Sequence, residues 1–372
     1  MKDLFQPLCL TAYLGGKCPL NCLYCYSDKN RPIDNTISNE ALKKVLYIVA
    51  KNCLANKVPL AIVFHGVNEP LLYQKKIVNI LKIAQEVAND CNLKLFRACT
   101  TCGVVSNHII EWAKNNFDHI TLSWDGPDFV HNRNRPLKNG KGSSSAVRKA
   151  AEIILQSKCA LTVRSTVTIE TSEHILNTVF FFKQQGIERV VFNPVYPNRN
   201  NSFIEKLVPP PKLFAFSFLK ARAWGIANDM EIIFPGVRPR ETHDRYCSIL
   251  QKNLAITSDG YFSFCFLVTH FIDCQDMQFQ IGHIENDQIF YKNENLKRFF
   301  KIIKRGFKQC EKCFNKNHCA KCCPTICPML HSYSKSFDCS AEKIIGNVLL
   351  FEQENGPIPF EEIDCYLNKI IS

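Results

Sequence analysis

The sequence predicts an α/β fold in which an open parallel sheet of six strand–helix units is followed by a small Cys-rich α+β domain. Three observations predict it. Strand and helix signals alternate six times between residues 8 and 193, and that alternation implies a parallel sheet with right-handed crossovers. The six units occupy about 190 residues, too few for a closed eight-fold barrel, so an open partial (βα)6 TIM barrel is expected. The 20 cysteines gather in an N-terminal trio and a dense C-terminal group, with scattered singles between them.

Residues 8–14 read as a buried first strand, and the polar, Pro-containing residues 28–38 as loop. Residues 39–54 predict a helix with Asn39 as N-cap and Leu42, Val45, Leu46 and Val49 on its apolar face. Strand signal follows at 59–65, 93–98, 118–123, 160–168 and 188–193, and helix signal at 74–88, 107–115, 143–157 and 173–185, the last closed by Gly186. Residues 131–143 read as a basic, solvated loop leading into a helix capped by Ser143 or Ser144, since Walker spacing for a phosphate cradle is absent. Pro-rich stretches at 194–197 and 209–211 flank a helical stretch near 212–228. Its aromatic run Leu213–Leu219 reads first as core and second as a groove lining. The expected domains are 1–195 for the barrel, 196–245 for a connecting helical segment, 246–345 for the Cys-rich domain and 346–372 for a helical tail.

Composition bounds the function. A chain of 372 residues with 46% hydrophobic content can bury a sizeable core. No run of about eighteen apolar residues predicts a membrane span, and the first residues lack a signal-peptide pattern. The expected location is cytoplasmic, where thiols stay reduced, so the cysteines point to metal rather than disulfides. Cys9, Cys53, Cys91, Cys159 and Cys365 read as small core residues or bystanders. The net charge of +12 favours an acidic partner such as a peptide; without Lys/Arg blocks interleaved with aromatics, nucleic acid is not expected.

The chemistry centres on Gly15–Tyr26, where Cys18, Cys22 and Cys25 stand at C-x3-C-x2-C spacing directly after the first strand. Three thiolates can hold three irons of a [4Fe–4S] cluster and leave the fourth iron open to bind and reduce a small molecule. A four-Cys ferredoxin site with a distant ligand, or a zinc knuckle, are the alternatives for these residues alone. Tyr24 could pack on a nucleobase.

This stretch resembles the C-x3-C-x-aromatic-C signature of the radical S-adenosylmethionine (SAM) superfamily, whose members use a partial (βα)6 barrel. The resemblance implies reductive cleavage of SAM to a 5′-deoxyadenosyl radical that removes a hydrogen atom from a substrate. His65-Gly66-Val67-Asn68-Glu69-Pro70 is similar to the family's Gly-Gly-Glu-Pro motif, with Val67-Asn68 in place of the two glycines. That likeness implies that Glu69 and Pro70 help hold the amino end of SAM. Thr100-Thr101-Cys102-Gly103 stands where the family often has Thr-Asn-Gly. Ser123 and Asp125, in Ser123-Trp124-Asp125-Gly126-Pro127, are similar to the segment near the SAM ribose. Arg164 lies where a family Arg commonly pairs with the SAM carboxylate, a task that suits a bidentate guanidinium. Each segment alone reads as an ordinary βα turn or strand residue; their order behind the trio carries the likeness.

The C-terminal cysteines run Cys247-x12-Gly260-x4-Cys265, then Cys310-x2-Cys313-x5-Cys319-x3-Cys323, then Cys339 after fifteen residues. Lys252–Thr257 and Tyr261–Phe264 read independently as a hairpin around Ser258-Asp259-Gly260. A zinc ribbon on Cys310, Cys313, Cys319 and Cys322 is the alternative, but it leaves Cys247, Cys265 and Cys339 unexplained. The spacing resembles the SPASM domain of radical SAM enzymes, which implies two auxiliary [4Fe–4S] clusters. By that resemblance Cys247, Cys265 and Cys323 serve the first, with an open iron, a non-Cys ligand or Cys274 completing it. Cys310, Cys313, Cys319 and Cys339 serve the second. Cys322 and Cys327 are left over.

The expected cofactors are therefore three [4Fe–4S] clusters and SAM. The first functional expectation is a peptide maturase forming a thioether or carbon–carbon crosslink or an epimerised residue. The second is a sulfatase-type maturase making formylglycine. Its relatives carry a proton-accepting Asp after the second SPASM cysteine, where this chain has Phe266-Leu267-Val268. A SAM enzyme acting on a small molecule is third, and a non-enzymatic iron–sulfur electron carrier is the alternative of a different class. Expected partners are a precursor peptide, an electron donor (a reductase with flavodoxin, or a ferredoxin) and, since only seven residues precede the first strand, a separate leader-binding protein.

Overall fold

The computed structural model describes residues 6–25, 37–65, 68–196, 202–242, 252–257, 260–263, 280–286, 288–292, 294–295, 297, 310–320 and 338–371. Strands β1 (Cys9–Ala12), β2 (Leu60–Phe64), β3 (Leu95–Thr101), β4 (His119–Ser123), β5 (Ala160–Val167) and β6 (Arg189–Pro194) pair in parallel in sequence order. Helices α1 (Asn39–Asn56), α2 (Gln74–Asp90), α3 (Asn107–Asn116), α4 (Asp128–Asn134), α5 (Ser144–Leu155) and α6 (Ile175–Gln184) lie between them.

Period-two alternation places one side of each strand under the helices. On β2, Leu60, Ile62 and Phe64 are fully buried in the main core with Val45, Leu46 and Val49 of α1. Ala61 and Val63, on the opposite side, are only half-buried. The cap of α1 is Ser38, whose Oγ accepts from Ala41 N–H at 3.1 Å, one residue before the Asn39 expected. Neither Ser143 nor Ser144 caps α5 through its side chain. Asn132 Oδ1 accepts from both of their N–H groups, at 2.8 and 2.9 Å, so the cap comes from α4, inside the stretch read as loop.

The stretch read as a connection adds to the sheet. After α7 (Ser202–Glu205) and α8 (Pro211–Ala227), β7 (Glu231–Ile233) pairs in parallel with β6 as a seventh strand. Phe214 and Phe218 of α8 are buried and pack edge-on against Phe234 at 5.3 and 5.9 Å, so the aromatic run is core. On the other edge, β8 (Asn253–Ile256) pairs in parallel with β1 and antiparallel with β9 (Tyr261–Ser263), as the hairpin reading expects. Strands β10 (Gln280–Glu285) and β11 (Gln288–Tyr291) extend that edge, giving the order β11-β10-β9-β8-β1-β2-β3-β4-β5-β6-β7 among the described residues. The sheet is open, running from β11 at one edge to β7 at the other. Helices α9 (Ser340–Asn355) and α10 (Ile363–Ile371) pack back on α8. Arg222 pairs with Glu352, and Lys220 with Asp364 at 2.5 Å. Among the described residues no helix is long and apolar enough to cross a membrane.

Candidate functional site

The cysteine trio leaves the carboxyl end of β1, the end at which parallel α/β folds build their sites. Backbone bonds hold its loop from two sides. Asn21 N–H donates to Pro136 O, Leu23 N–H to Asn134 O and Lys138 N–H to Pro19 O, at 2.8, 2.9 and 3.0 Å. On the opposite flank Glu69 N–H donates to Lys17 O at 3.0 Å, and Lys17 N–H to Tyr73 Oη at 2.9 Å. A Cβ at Gly15 would lie 2.1 Å from the Tyr73 ring, so a larger residue there would displace the tyrosine whose Oη accepts from Lys17 N–H. Cys18, Cys22 and Cys25 are all half-buried.

Asp125, 1% exposed, is the hub beneath the loop. Its Oδ2 accepts from Tyr24 Oη at 2.5 Å and Asn134 Nδ2 at 3.1 Å, and its Oδ1 from Arg135 Nε at 3.1 Å and Thr166 N–H at 3.0 Å. Every acceptor position of the carboxylate is therefore taken by protein. The Arg135 guanidinium also lies 5.4 Å from the Tyr24 ring centroid and 3.9 Å from Cys22 Sγ, so it faces the sulfur. Burial pushes the Cys22 thiol up to about 11, partly opposed by Arg135, while Cys18 and Cys25 stand close enough to raise it further. Burial likewise holds the Tyr24 phenol well above its ordinary range. His131 is fully buried; its Nδ1 accepts from Asp125 N–H at 3.1 Å, which leaves Nε2 to donate to Ser143 Oγ at 3.0 Å. Ser143 Oγ donates onward to Arg135 O at 2.6 Å.

Glu69 is also anchored inward. Its carboxylate accepts from Leu71 N–H, the Thr101 hydroxyl and Cys102 N–H, at 3.0, 2.7 and 2.6 Å, and burial raises its pKa despite these bonds. Pro70 is buried and opens the short 3₁₀ turn Pro70–Tyr73. Ser123 stands at the carboxyl end of β4, in register with Arg164 on β5. Arg164 is exposed, and no ion pair engages it among the described residues. It lines an open cavity of ≈ 460 Å³ with Asp118, His119, Ala160, Thr162 and Arg189, which reaches toward the amino ends of β4, β5 and β6. Burial, with the Arg164 charge adding to it, holds the His65 imidazole down to about 3, hence neutral.

Of the C-terminal cysteines, Cys310, Cys313, Cys319 and Cys339 lie in described residues and are half-buried. Burial raises the Cys339 thiol, and Glu342 and Cys313 stand near enough to add to that. Asn315 Nδ2 donates to Glu342 O at 2.9 Å, tying the 310–320 segment to α9. Cys247, Cys265, Cys274, Cys322, Cys323, Cys327 and Phe266 lie outside the described residues. Among the described residues no three His, Cys, Asp or Glu side chains converge on a single ion. A four-iron cube spreads its ligands wider than one ion does. The trio fits such a group: three neighbouring thiols on one braced loop, backed by a guanidinium that offsets their charge.

The structure brings Tyr24 and Asp125 into direct contact and sets Glu69 against the trio loop; Ser123 and Arg164 meet across one ladder. Sequence reasoning missed Arg135, His131 and Asn134. Their spacing of i, i+3 and i+4, beginning six residues after Asp125, is the signal, since it puts His131 and Asn134 on one face of a short helix that ends at Arg135.

The comparisons agree with this geometry. The family described as the Radical SAM superfamily matches residues 13–202, more than half of the chain. A cysteine-type anaerobic sulfatase-maturating enzyme of Clostridium perfringens is 27% identical over 198 residues, covering 49% of this chain and 51% of the relative, so this match spans about half of that relative's length. A sulfatase-maturating enzyme of the same type from Clostridium novyi is 26% identical over 341 residues, 82% of this chain and 83% of the relative. Among solved structures, native anSMEcpe with bound AdoMet aligns at TM-score 0.68 and 19% identity over 97% of this chain and 100% of that one. Streptococcus suis SuiB bound to precursor peptide SuiA aligns at TM-score 0.52 and 14% identity over 72% and 61%. The trio on its braced loop, the open parallel sheet that presents it and the family match together lead to one conclusion: this chain is an enzyme of the radical SAM superfamily.

Proposed function

We propose that this enzyme is a radical SAM maturase acting on a peptide, with oxidative crosslinking or epimerisation as the outcome. Family membership implies a [4Fe–4S] cluster and SAM; once bound at Cys18, Cys22 and Cys25, they supply an electron and a 5′-deoxyadenosyl group that removes a hydrogen atom from substrate. The observation that carries the reading is the braced trio loop above an open sheet, beside an Arg164 that no ion pair engages among the described residues. In this reading Arg135 and Asp125 hold Tyr24 and Cys22 in place. Arg164 grips the SAM carboxylate, Ser123 lies beside it, and Glu69 and Pro70 shape the turn that receives the amino end. Cys247, Cys265, Cys310, Cys313, Cys319, Cys323 and Cys339 would hold two auxiliary clusters, which would supply an electron acceptor for an oxidative outcome. A reductase with flavodoxin, or a ferredoxin, supplies electrons.

The names of the Clostridium relatives favour a second reading, formylglycine formation on a sulfatase. Phe266 stands where that chemistry would use an Asp. The deciding assay offers SAM, reductant and either a short peptide encoded beside the gene or a sulfatase-derived Cys peptide. Loss of two hydrogens from the neighbouring peptide, with the sulfatase peptide untouched, supports crosslinking. Deuterium uptake at one α-carbon without other mass change supports epimerisation. Formylglycine on the sulfatase peptide overturns the first reading in favour of the second.

Arg164 carries a separate expectation. Arg164→Ala weakens SAM binding by about 1.5–3 kcal/mol, roughly ten- to a hundredfold. Arg164→Lys keeps the charge, loses the fork and also weakens binding. Calorimetric titration of the reconstituted variants checks this; a lysine variant that binds SAM like the parent makes Arg164 structural.

A further inference from the structure

The face of the sheet opposite the helices is closed over one half and open over the other. Across β1, β8 and β9 its side chains Thr11, Asn253 and Ser263 are all buried, and Thr11 Oγ1 donates to Asn253 Oδ1 at 2.7 Å. Across β3 to β6 the same face borders the ≈ 460 Å³ cavity that Arg164 lines. Register sets its side chains in rows. Ser123, Arg164 and Val191 form one row; Thr121 and Thr162 pair in the next row toward the amino ends. Arg189 opens β6 two residues before Val191, so about 7 Å of strand separates it from the level of Arg164.

The charges that line this cavity do not balance. Asp118 is neutralised: the Arg97 guanidinium donates to both of its oxygens, at 2.8 and 3.0 Å, and Arg97 N–H adds a third bond at 2.8 Å. His119 Nε2 lies 2.9 Å from Thr162 Oγ1, and burial lowers its pKa, so the ring adds no charge at neutral pH. Arg164 is the guanidinium that the proposed function gives to SAM. Arg189 remains. Its ion pair among the described residues is with Glu231 at 3.2 Å, where both side chains are more than half exposed. Such a pair contributes little in water, and a guanidinium with five donors can take a second carboxylate or exchange one for another. Resting on the peptide reading above, we infer that the cavity around Arg189 is a subsite for an acidic side chain of the peptide substrate. Phe96 and Val191 wall the cavity with apolar surface, which strengthens a charge pair formed inside it. The net charge of +12 draws an acidic peptide from a distance, and Arg189 gives that attraction a fixed address. The trio stands at the carboxyl end of β1 and Arg189 at the amino end of β6, so the carboxylate sits farther from the trio than the atom attacked.

The test is fluorescence anisotropy of two rhodamine-labelled probe peptides, Ala-Ala-Glu-Ser-Ala-Ala and its Gln counterpart, on the anaerobically reconstituted protein with SAM and no reductant. The Glu peptide should bind the parent at least fivefold more tightly than the Gln peptide. Arg189→Gln should abolish that preference, and Arg189→Lys should keep part of it. Glu231→Gln removes the competing carboxylate and should enlarge the preference. Glu86→Gln makes the same change in net charge on α2, where Glu86 pairs with Lys43, and should leave the preference as in the parent. Arg189 is exposed, so its variants should unfold at the parent urea midpoint, which separates lost binding from lost folding. Equal binding of the two peptides by the parent, or a preference that survives Arg189→Gln, overturns the inference alone. An equal gain from Glu86→Gln and Glu231→Gln also overturns it, by making the attraction one of net charge only. Binding of neither peptide overturns it together with the peptide reading on which it rests.

Discussion

Replacing Cys18, Cys22 and Cys25 together by alanine is expected to abolish 5′-deoxyadenosine formation from SAM under dithionite. The variant should still fold, because the loop is docked by the backbone groups of Lys17, Pro19, Asn21 and Leu23 and by the buried Leu20, not by the thiols. The loss then reports chemistry rather than collapse. Iron should fall by about four per chain, roughly a third of the twelve that three [4Fe–4S] clusters would hold. Product quantified by mass spectrometry, beside iron analysis, checks both statements. Persistent SAM cleavage would sink the assignment of the trio. An anaerobically reconstituted parent holding four irons, or zinc, would leave the trio standing and remove the auxiliary clusters.

The second large effect is expected at Asp125, and it falls on stability. Asp125→Ala leaves Tyr24 Oη, Asn134 Nδ2, Arg135 Nε and Thr166 N–H without their acceptor. Arg135, itself 9% exposed, becomes an uncompensated buried charge. Removing one partner of such a pair costs about 3–5 kcal/mol. Asp125→Asn keeps the shape and one acceptor oxygen but turns an amide N–H₂ toward donors, so it should destabilise less. Urea unfolding of the metal-free variants checks this through a lowered midpoint at unchanged slope. Because Arg135 also faces Cys22, cluster retention after reconstitution should fall in parallel with stability. An alanine variant that unfolds at the parent midpoint would show that the network is dispensable.

Much of the fold was legible because burial imposes a period. Leu42, Val45, Leu46 and Val49 read as one helical face and are buried together. Leu60, Ile62 and Phe64 alternate because only one side of β2 meets the helices. Strand β7 was not legible, since three residues carry too little pattern and its pairing is supplied by β6, about forty residues earlier. Helix α4 was hidden for the opposite reason. Its inward face is polar, with His131 and Asn134 buried against Asp125, so hydrophobic periodicity cannot reveal it. The candidate site divides in the same way. The trio and Asp125 stand in local motifs, but the donors of Asp125 come from Tyr24, Asn134, Arg135 and Thr166, which only the tertiary structure brings together.

The parallel pairing of β1 with β8 has a consequence for how the chain is made. Thr11 Oγ1 donates to Asn253 Oδ1 at 2.7 Å across a sequence separation of 242 residues. At a synthesis rate of about 5–20 residues per second, one edge of the first strand waits roughly 12–50 s for its neighbour to leave the ribosome. An unpaired strand edge is a template for pairing with other chains. During that interval the strand that delivers the cysteine trio is also the one exposed to misassembly. Translation speed and chaperone occupancy therefore bear on how much chain reaches a state able to receive iron. A fragment ending before residue 253 never closes that edge, so the parallel sheet and the hairpin that seals it are one unit of biogenesis.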